Sequence, residues 1–334
     1  YGDPRHLPSF PTRRSSDLDG VGQAITAYLR DAGGNPGRSG HRLSLAAGRV
    51  VAEAREAAAR ILGCSDPLSV IFAANATAAI NIALSGFLRA GDRVVADSMV
   101  HNATARPLTE LSRTGVKVSW AAADRTGHLD LDDLERRIRG AAADRPARMV
   151  VLTHGSNVSG SLAPLRQVAR LCGQYGTVLL VDAAQTAGIE DIALDTLGAA
   201  VVAFTGHKAM LGPGGTGGLA FGPGIEISDF RPVMRGGTGS HSDSEDHPGF
   251  MPDRFEAGTV NGAGLAGLLA GLRWIEATGM ERIRQAELDA IGRLRAGLLA
   301  IPGVTVYGPA ADEPRCAVLD RKSTRLNSSH GKLS

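Results

Sequence analysis

Two apolar runs, residues 177–182 and 199–204, each end abruptly in polar side chains, and no other feature constrains this chain as much. Short continuous stretches of aliphatic and β-branched residues bounded by turn residues predict strands buried on both faces, the kind found in parallel sheets. The first run delivers Asp182 and Gln185. The second leads into Thr205-Gly-His-Lys208 and then breaks into glycines through Gly218. In open α/β sheets, ligands collect at the carboxyl ends of such strands. Lys208 stands out because lysine is scarce: only positions 117, 208, 322 and 332 carry it, and arginine supplies nearly all the other positive charge. Only an amine can lose its proton and form a Schiff base. Taken alone, Lys208 reads equally well as a surface lysine at a strand end.

Asp182 on the neighbouring run breaks that tie. A lysine and a carboxylate on adjacent strand ends are what pyridoxal phosphate needs: the amine takes the aldehyde as a Schiff base, and the carboxylate keeps the pyridine nitrogen protonated. The rest of the body alternates in the matching way. Helices are expected at 20–32, 46–62, 75–86, 101–114, 130–139 and 165–175, and strands at 69–73, 93–96, 116–121 and 148–152. Asn75-Ala-Thr77 opens a helix whose first amides form a natural phosphate seat, although Thr77 also reads as a simple cap. Residues 212–218 lack the Gly-Lys-Ser/Thr ending of a P-loop and read as a turn before the next strand. Helices at 262–278 and 281–300 lead to a strand-like stretch at 304–307.

Seven segments then fall in a recognisable order across roughly residues 20–310. They are Gly33-Gly-Asn-Pro-Gly-Arg-Ser-Gly-His41, Asn75-Ala-Thr77, His101-Asn102, Ser156-Asn-Val-Ser-Gly160, Val181-Asp-Ala-Ala-Gln185, Thr205-Gly-His-Lys208 and Arg254-Phe-Glu-Ala-Gly-Thr259. Together they resemble the cysteine desulfurase-like family of class V aminotransferases, which are fold-type I pyridoxal-phosphate enzymes. The resemblance implies an α/β fold with a mostly parallel seven-stranded sheet, helices on both faces, and a small α/β domain that is incomplete here. It implies that Lys208 holds the cofactor and later moves the Cα proton, that Asp182 protonates the pyridine nitrogen, and that Gln185 meets the phenolic oxygen. Ala76, Thr77, Thr205 and His207 would hold the phosphate, with Thr259 doing so from a second subunit of a homodimer. His101 would stack on the pyridine face, and Asn157 would lie near the phenolic oxygen and the substrate. Without the resemblance, His101 reads as a cap or a packed side chain and Asn157 as turn chemistry. Ala78 departs from the glutamate common in the family.

The substrate implied is L-cysteine or a related amino acid, converted to alanine with sulfur passing to a protein persulfide, an acceptor protein and iron–sulfur cluster assembly. Another class V activity, aminotransferase or selenocysteine lyase, and a cofactor-binding fragment without turnover stay open. The family's nucleophilic cysteine and substrate-carboxylate arginine belong to its C-terminal domain, past the point where the resemblance stops. Cys316 lacks the glycine-flanked loop of that nucleophile, and Cys64 and Cys172 read as structural, so no residue is assigned as sulfur acceptor.

Composition closes off other classes. A net charge of +2 over 334 residues gives no basic stripe for nucleic acid. No apolar run reaches the ~18 residues of a membrane span. Three cysteines without metal-type spacing fit a reducing compartment, the cytoplasm. His241 and His247 lie among acidic residues, but without ordered spacing no metal site is expected. Residues 1–18 and 321–334 differ abruptly in composition from the body and read as non-native or disordered tails. Between them, 19–261 reads as a cofactor-binding large domain and 262–320 as the incomplete small one.

Overall fold

The computed structural model describes residues 18–36, 41–140, 145–240 and 244–319. The two expected tails, apart from Leu18, part of the glycine-rich loop after Pro36, and His241 lie outside the described residues.

Strands and helices alternate through most of the chain: α1 (Asp19–Asp31), α2 (Arg42–Leu62), β1 (Val70–Ala73), α3 (Ala76–Phe87), β2 (Arg93–Asp97), α4 (Asn102–Arg113), β3 (Lys117–Ala121), α5 (Leu131–Arg139), β4 (Met149–Thr153) and α6 (Leu165–Gln174). β5 (Val178–Asp182), β6 (Ala200–Thr205), β7 (Gly217–Phe221), α7 (Gly262–Thr278) and α8 (Met280–Leu299) follow. One seven-stranded sheet runs in the order β1-β7-β6-β5-β4-β2-β3, with β7 antiparallel to both neighbours and the other pairings parallel.

Helices cover both faces, which is why the central strands read as unbroken apolar runs: all five residues of β4 are buried. On one face Ile61 of α2, Leu134 of α5, Val168 of α6 and Leu268 of α7 pack with Val95, Leu152, Val181 and Val202. On the other, Ile80 and Leu84 of α3 and Leu108 of α4 pack with Val94, Val151, Leu180 and Val201. Helix ends follow local chemistry. Asn75 caps α3 by accepting the Ala78 amide at 2.9 Å, and Gly63 ends α2 in the left-handed conformation that glycine adopts without strain.

Two details differ from the sequence expectation. Gly217 and Gly218 belong to β7 instead of a turn: they pair with both β1 and β6, and glycine is required there because a Cβ on Gly218 would run into the Ile71 carbonyl of β1. Residues 304–307 form no strand: burial alternates along them, yet no neighbouring strand offers a ladder, and Tyr307 is exposed. The chain instead returns to the body through a bridge between Ser161 and Arg315 and a 2.9 Å hydrogen bond from the Cys316 amide to the Gly160 carbonyl. Among the described residues, no helix is long and apolar enough to cross a membrane.

Candidate active site

The carboxyl ends of β4, β5 and β6 open with the N-termini of α3 and α4 onto one cavity of about 300 Å³. Its lining includes Ala76, Thr77, His101, Asn157, Asp182, Gln185, Thr205, His207 and Lys208, so nine of the ten residues singled out in the sequence converge there. Thr259 does not. It lines a separate, more apolar cavity of about 300 Å³ with Phe72, Ile82, Met234 and Phe255.

Each side chain is set by its element. Asp182 is the last residue of β5 and is buried; its Oδ1 accepts the Ala184 amide at 3.0 Å. Burial pushes its carboxyl above the ordinary value, and the Ala184 amide, Lys208 and His101 act against that rise. Thr205, the last residue of β6, places Oγ1 3.0 Å from His207 Nδ1. Burial and then the Lys208 charge hold His207 below its ordinary pKa. Lys208 follows on the turn, half-buried.

His101 caps α4 by accepting the Ala103 amide on Nδ1 at 3.0 Å, which leaves the proton of the neutral ring on Nε2. Both readings of His101, cap and site residue, describe the same side chain. At α3, Asn75 takes the Ala78 amide, and the Ala76 and Thr77 amides precede the first intrahelical bond, where a helix offers donors and partial positive charge to an anion.

Residues not singled out in the sequence also shape the site. Thr153, the last residue of β4, and Gly155 just beyond it line the cavity. Gly155 has no room for a side chain, because Cys316 Sγ and the Thr186 methyl occupy the place a Cβ would take. Asp97, at the end of β2, is buried and reaches across to accept the Thr153 amide at 2.6 Å, while also accepting the Met99 amide at 2.7 Å. An Asp just after an apolar run looks like turn chemistry, and nothing local announces a partner 56 residues away. Away from this cavity lining, His247 places Nε2 3.0 Å from the Arg254 carbonyl.

This donor set fits pyridoxal phosphate: one amine, one buried carboxylate, a helix N-terminus flanked by Thr205 and His207, and a histidine at the mouth. The Thr153 hydroxyl, buried without a hydrogen-bond partner, further marks the cavity wall as made for a polar occupant.

The family model for aminotransferase class-V matches residues 15–330. A probable cysteine desulfurase of Methanothermobacter thermautotrophicus is 34% identical over 293 residues, covering 86% of this chain and 71% of the relative. One from Pyrococcus abyssi is 32% identical over 300 residues, with 86% and 71% covered. Among solved structures, the apo cysteine desulfurase of Thermococcus onnurineus superposes with a TM-score of 0.84 at 30% identity, covering 92% of this chain and 76% of that one. The Escherichia coli cysteine desulfurase CsdA gives 0.76 at 25% identity, with 92% and 77% covered.

Proposed function

Because this chain belongs to the class V aminotransferases, we propose that it is a pyridoxal-phosphate enzyme acting on L-cysteine, a cysteine desulfurase. The observation that carries this reading is the convergence of Lys208, Asp182 and the α3 N-terminus on one cavity. The relatives named cysteine desulfurase support the substrate.

When bound, the cofactor supplies an electron sink that loosens the bond from the amino acid's Cα to its proton. The protein's share is orientation and proton handling. Asp182, with one oxygen fixed by the Ala184 amide, offers a carboxylate in a dry wall where a protonated ring nitrogen is strongly held. The Ala76 and Thr77 amides, with Thr205 and His207, would hold the phosphate. Lys208 would hold the cofactor's aldehyde and would serve as the base that moves the Cα proton. Gln185 and Asn157, on the cavity wall, would meet the phenolic oxygen, and His101, at the α4 N-terminus, would cover the ring. The Thr259 segment would act on the site of a second copy of the chain, a role supported by its place in a different cavity from the one Lys208 lines and by exposed Val233, Met234 and Phe250 in the preceding segment.

The test is to incubate the full chain with pyridoxal phosphate, follow the near-visible band, reduce with borohydride and map the label. Label on Lys208, and alanine formed from L-cysteine, are the expected results. Label on Lys117, or a labelled Lys208 with no alanine from L-cysteine under any thiol concentration, overturns the assignment.

A further inference from the structure

Thr153 ends β4 and is paired in register with Asp182 on β5, so the two residues share a rung at the mouth of the sheet. Its side chain is among the buried polar groups at 8% exposure, and Oγ1 has no hydrogen-bond partner among the described residues. An unmade hydrogen bond in a dry wall is costly, and buried hydroxyls are rarely left so. Thr104 Oγ1 is orphaned too, but Thr104 lies within α4 and does not line the cavity, whereas Thr153 does.

The protein also fixes Thr153 with care. Asp97 accepts its amide at 2.6 Å, and His154, the next residue, donates its amide to the Asp182 carbonyl at 3.1 Å. By strand alternation Asp97 shares the face of Val95, and Asp182 that of Leu180, so two carboxylates flank Thr153 from opposite faces of the sheet. The Thr153 hydroxyl stands near the Asp97 carboxylate, close enough to favour its charged form, but without the geometry of a full hydrogen bond.

Resting on the function proposed above, we propose that Thr153 is a further binding residue of the site, whose hydroxyl is satisfied by a polar atom of the bound cofactor ring, and that Asp97 is the residue that positions it. The arrangement trades stability of the empty protein for affinity. Removing the hydroxyl therefore leaves the empty protein undamaged and weakens cofactor binding, a combination that a purely structural threonine does not produce.

The experiment compares wild type, T153V and T153S as full chains. Each is titrated with pyridoxal phosphate, read by the near-visible band, and unfolded in urea without cofactor. T153V is expected to be at least as stable as wild type when empty and to bind the cofactor about three- to tenfold more weakly, the size of one neutral hydrogen bond. T153S, which keeps the hydroxyl, should bind close to wild type. T153V binding as tightly as wild type overturns the proposal; if that variant is also less stable when empty, the hydroxyl belongs to Asp97 instead. Failure of the wild type itself to bind cofactor removes the proposed function and this inference together, so the two failures are told apart by the wild-type titration.

Discussion

Arg55 and Glu256, 201 residues apart in the chain, meet in two parallel hydrogen bonds of 2.7 and 2.9 Å with side chains only 7% and 8% exposed. Glu256 Oε1 also accepts the Phe72 amide at 2.6 Å, and Arg55 donates to the Val70 carbonyl. One ion pair thus ties α2, β1 and the segment that carries Thr259.

Breaking that pair from one side leaves a buried charge and an unpaired amide. Glu256→Leu is expected to lower stability by about 3–5 kcal/mol in urea unfolding. It should also weaken self-association in sedimentation, since it releases the segment assigned to the partner's site. A variant as stable as wild type, or one that dimerises unchanged, would separate this pair from the interface.

Acid stability should respond to two buried groups with opposite signs. His154, with Nδ1 2.9 Å from Thr186 Oγ1, is held by burial at a pKa of about 4, below its ordinary 6.5. Between those values the unfolded chain binds a proton that the folded chain does not, so this contribution is full above about pH 6.5 and shrinks as pH falls toward 4. Asp97 is pushed by burial from 3.8 up to about 6, despite its two amide donors. There the folded chain binds the extra proton, so stability grows as pH falls from about 6 toward 4. Each proton is worth about 1.4 kcal/mol per pH unit. The stability difference between wild type and His154→Gln should therefore narrow on acidification, and that between wild type and Asp97→Asn should widen. Parallel curves for either variant would contradict the assigned burial.

The three cysteines predict how sulfur leaves. Cys64, Cys172 and Cys316 are all buried, and burial raises the Cys64 thiol and pushes Cys172 up to about 12. A thiolate is the nucleophile in sulfur transfer; burial disfavours it at Cys64 and Cys172, and all three sulfurs are shut away from solvent. Sulfide release from L-cysteine by this chain is expected to rise in proportion to added thiol, with no sulfur atom gained by the protein in mass spectrometry. A persulfide mapped to any of the three would reverse the assignment.

The parts of this molecule that were legible in its sequence are those fixed by short-range physics. Strands buried on both faces announce themselves as unbroken apolar runs, and Asn75 and the Gly63 turn mark helix ends by local bonds. Asp182 and Lys208 were readable because strand ends and a scarce amine point to one chemistry. What could not be read depends on partners far along the chain. Asp97 finds Thr153, Arg55 finds Glu256, and Gly155 makes room for Cys316 only once the sheet is assembled. The 304–307 stretch fails for the same reason in reverse: its alternation is real, but a strand requires a neighbour that pattern alone cannot supply.

The antiparallel strand β7 gives Lys208 an unusual independence from the rest of its loop. Thr205 of β6 and Gly217 of β7 share a rung, the Gly206 amide bonds the Thr216 carbonyl at 2.8 Å, and the Gly212 amide returns to the Gly206 carbonyl at 2.7 Å. The amine therefore rides on a small ring, residues 206–212, closed upon itself before the chain reaches Pro213. Residues added between Pro213 and Gly215 would bulge outward while the ring keeps its shape, since lengthening a loop costs little when its ends are already pinned. Length variation can accumulate there without moving the reactive nitrogen, whereas a single residue inserted between Thr205 and Lys208 would turn it away from Asp182.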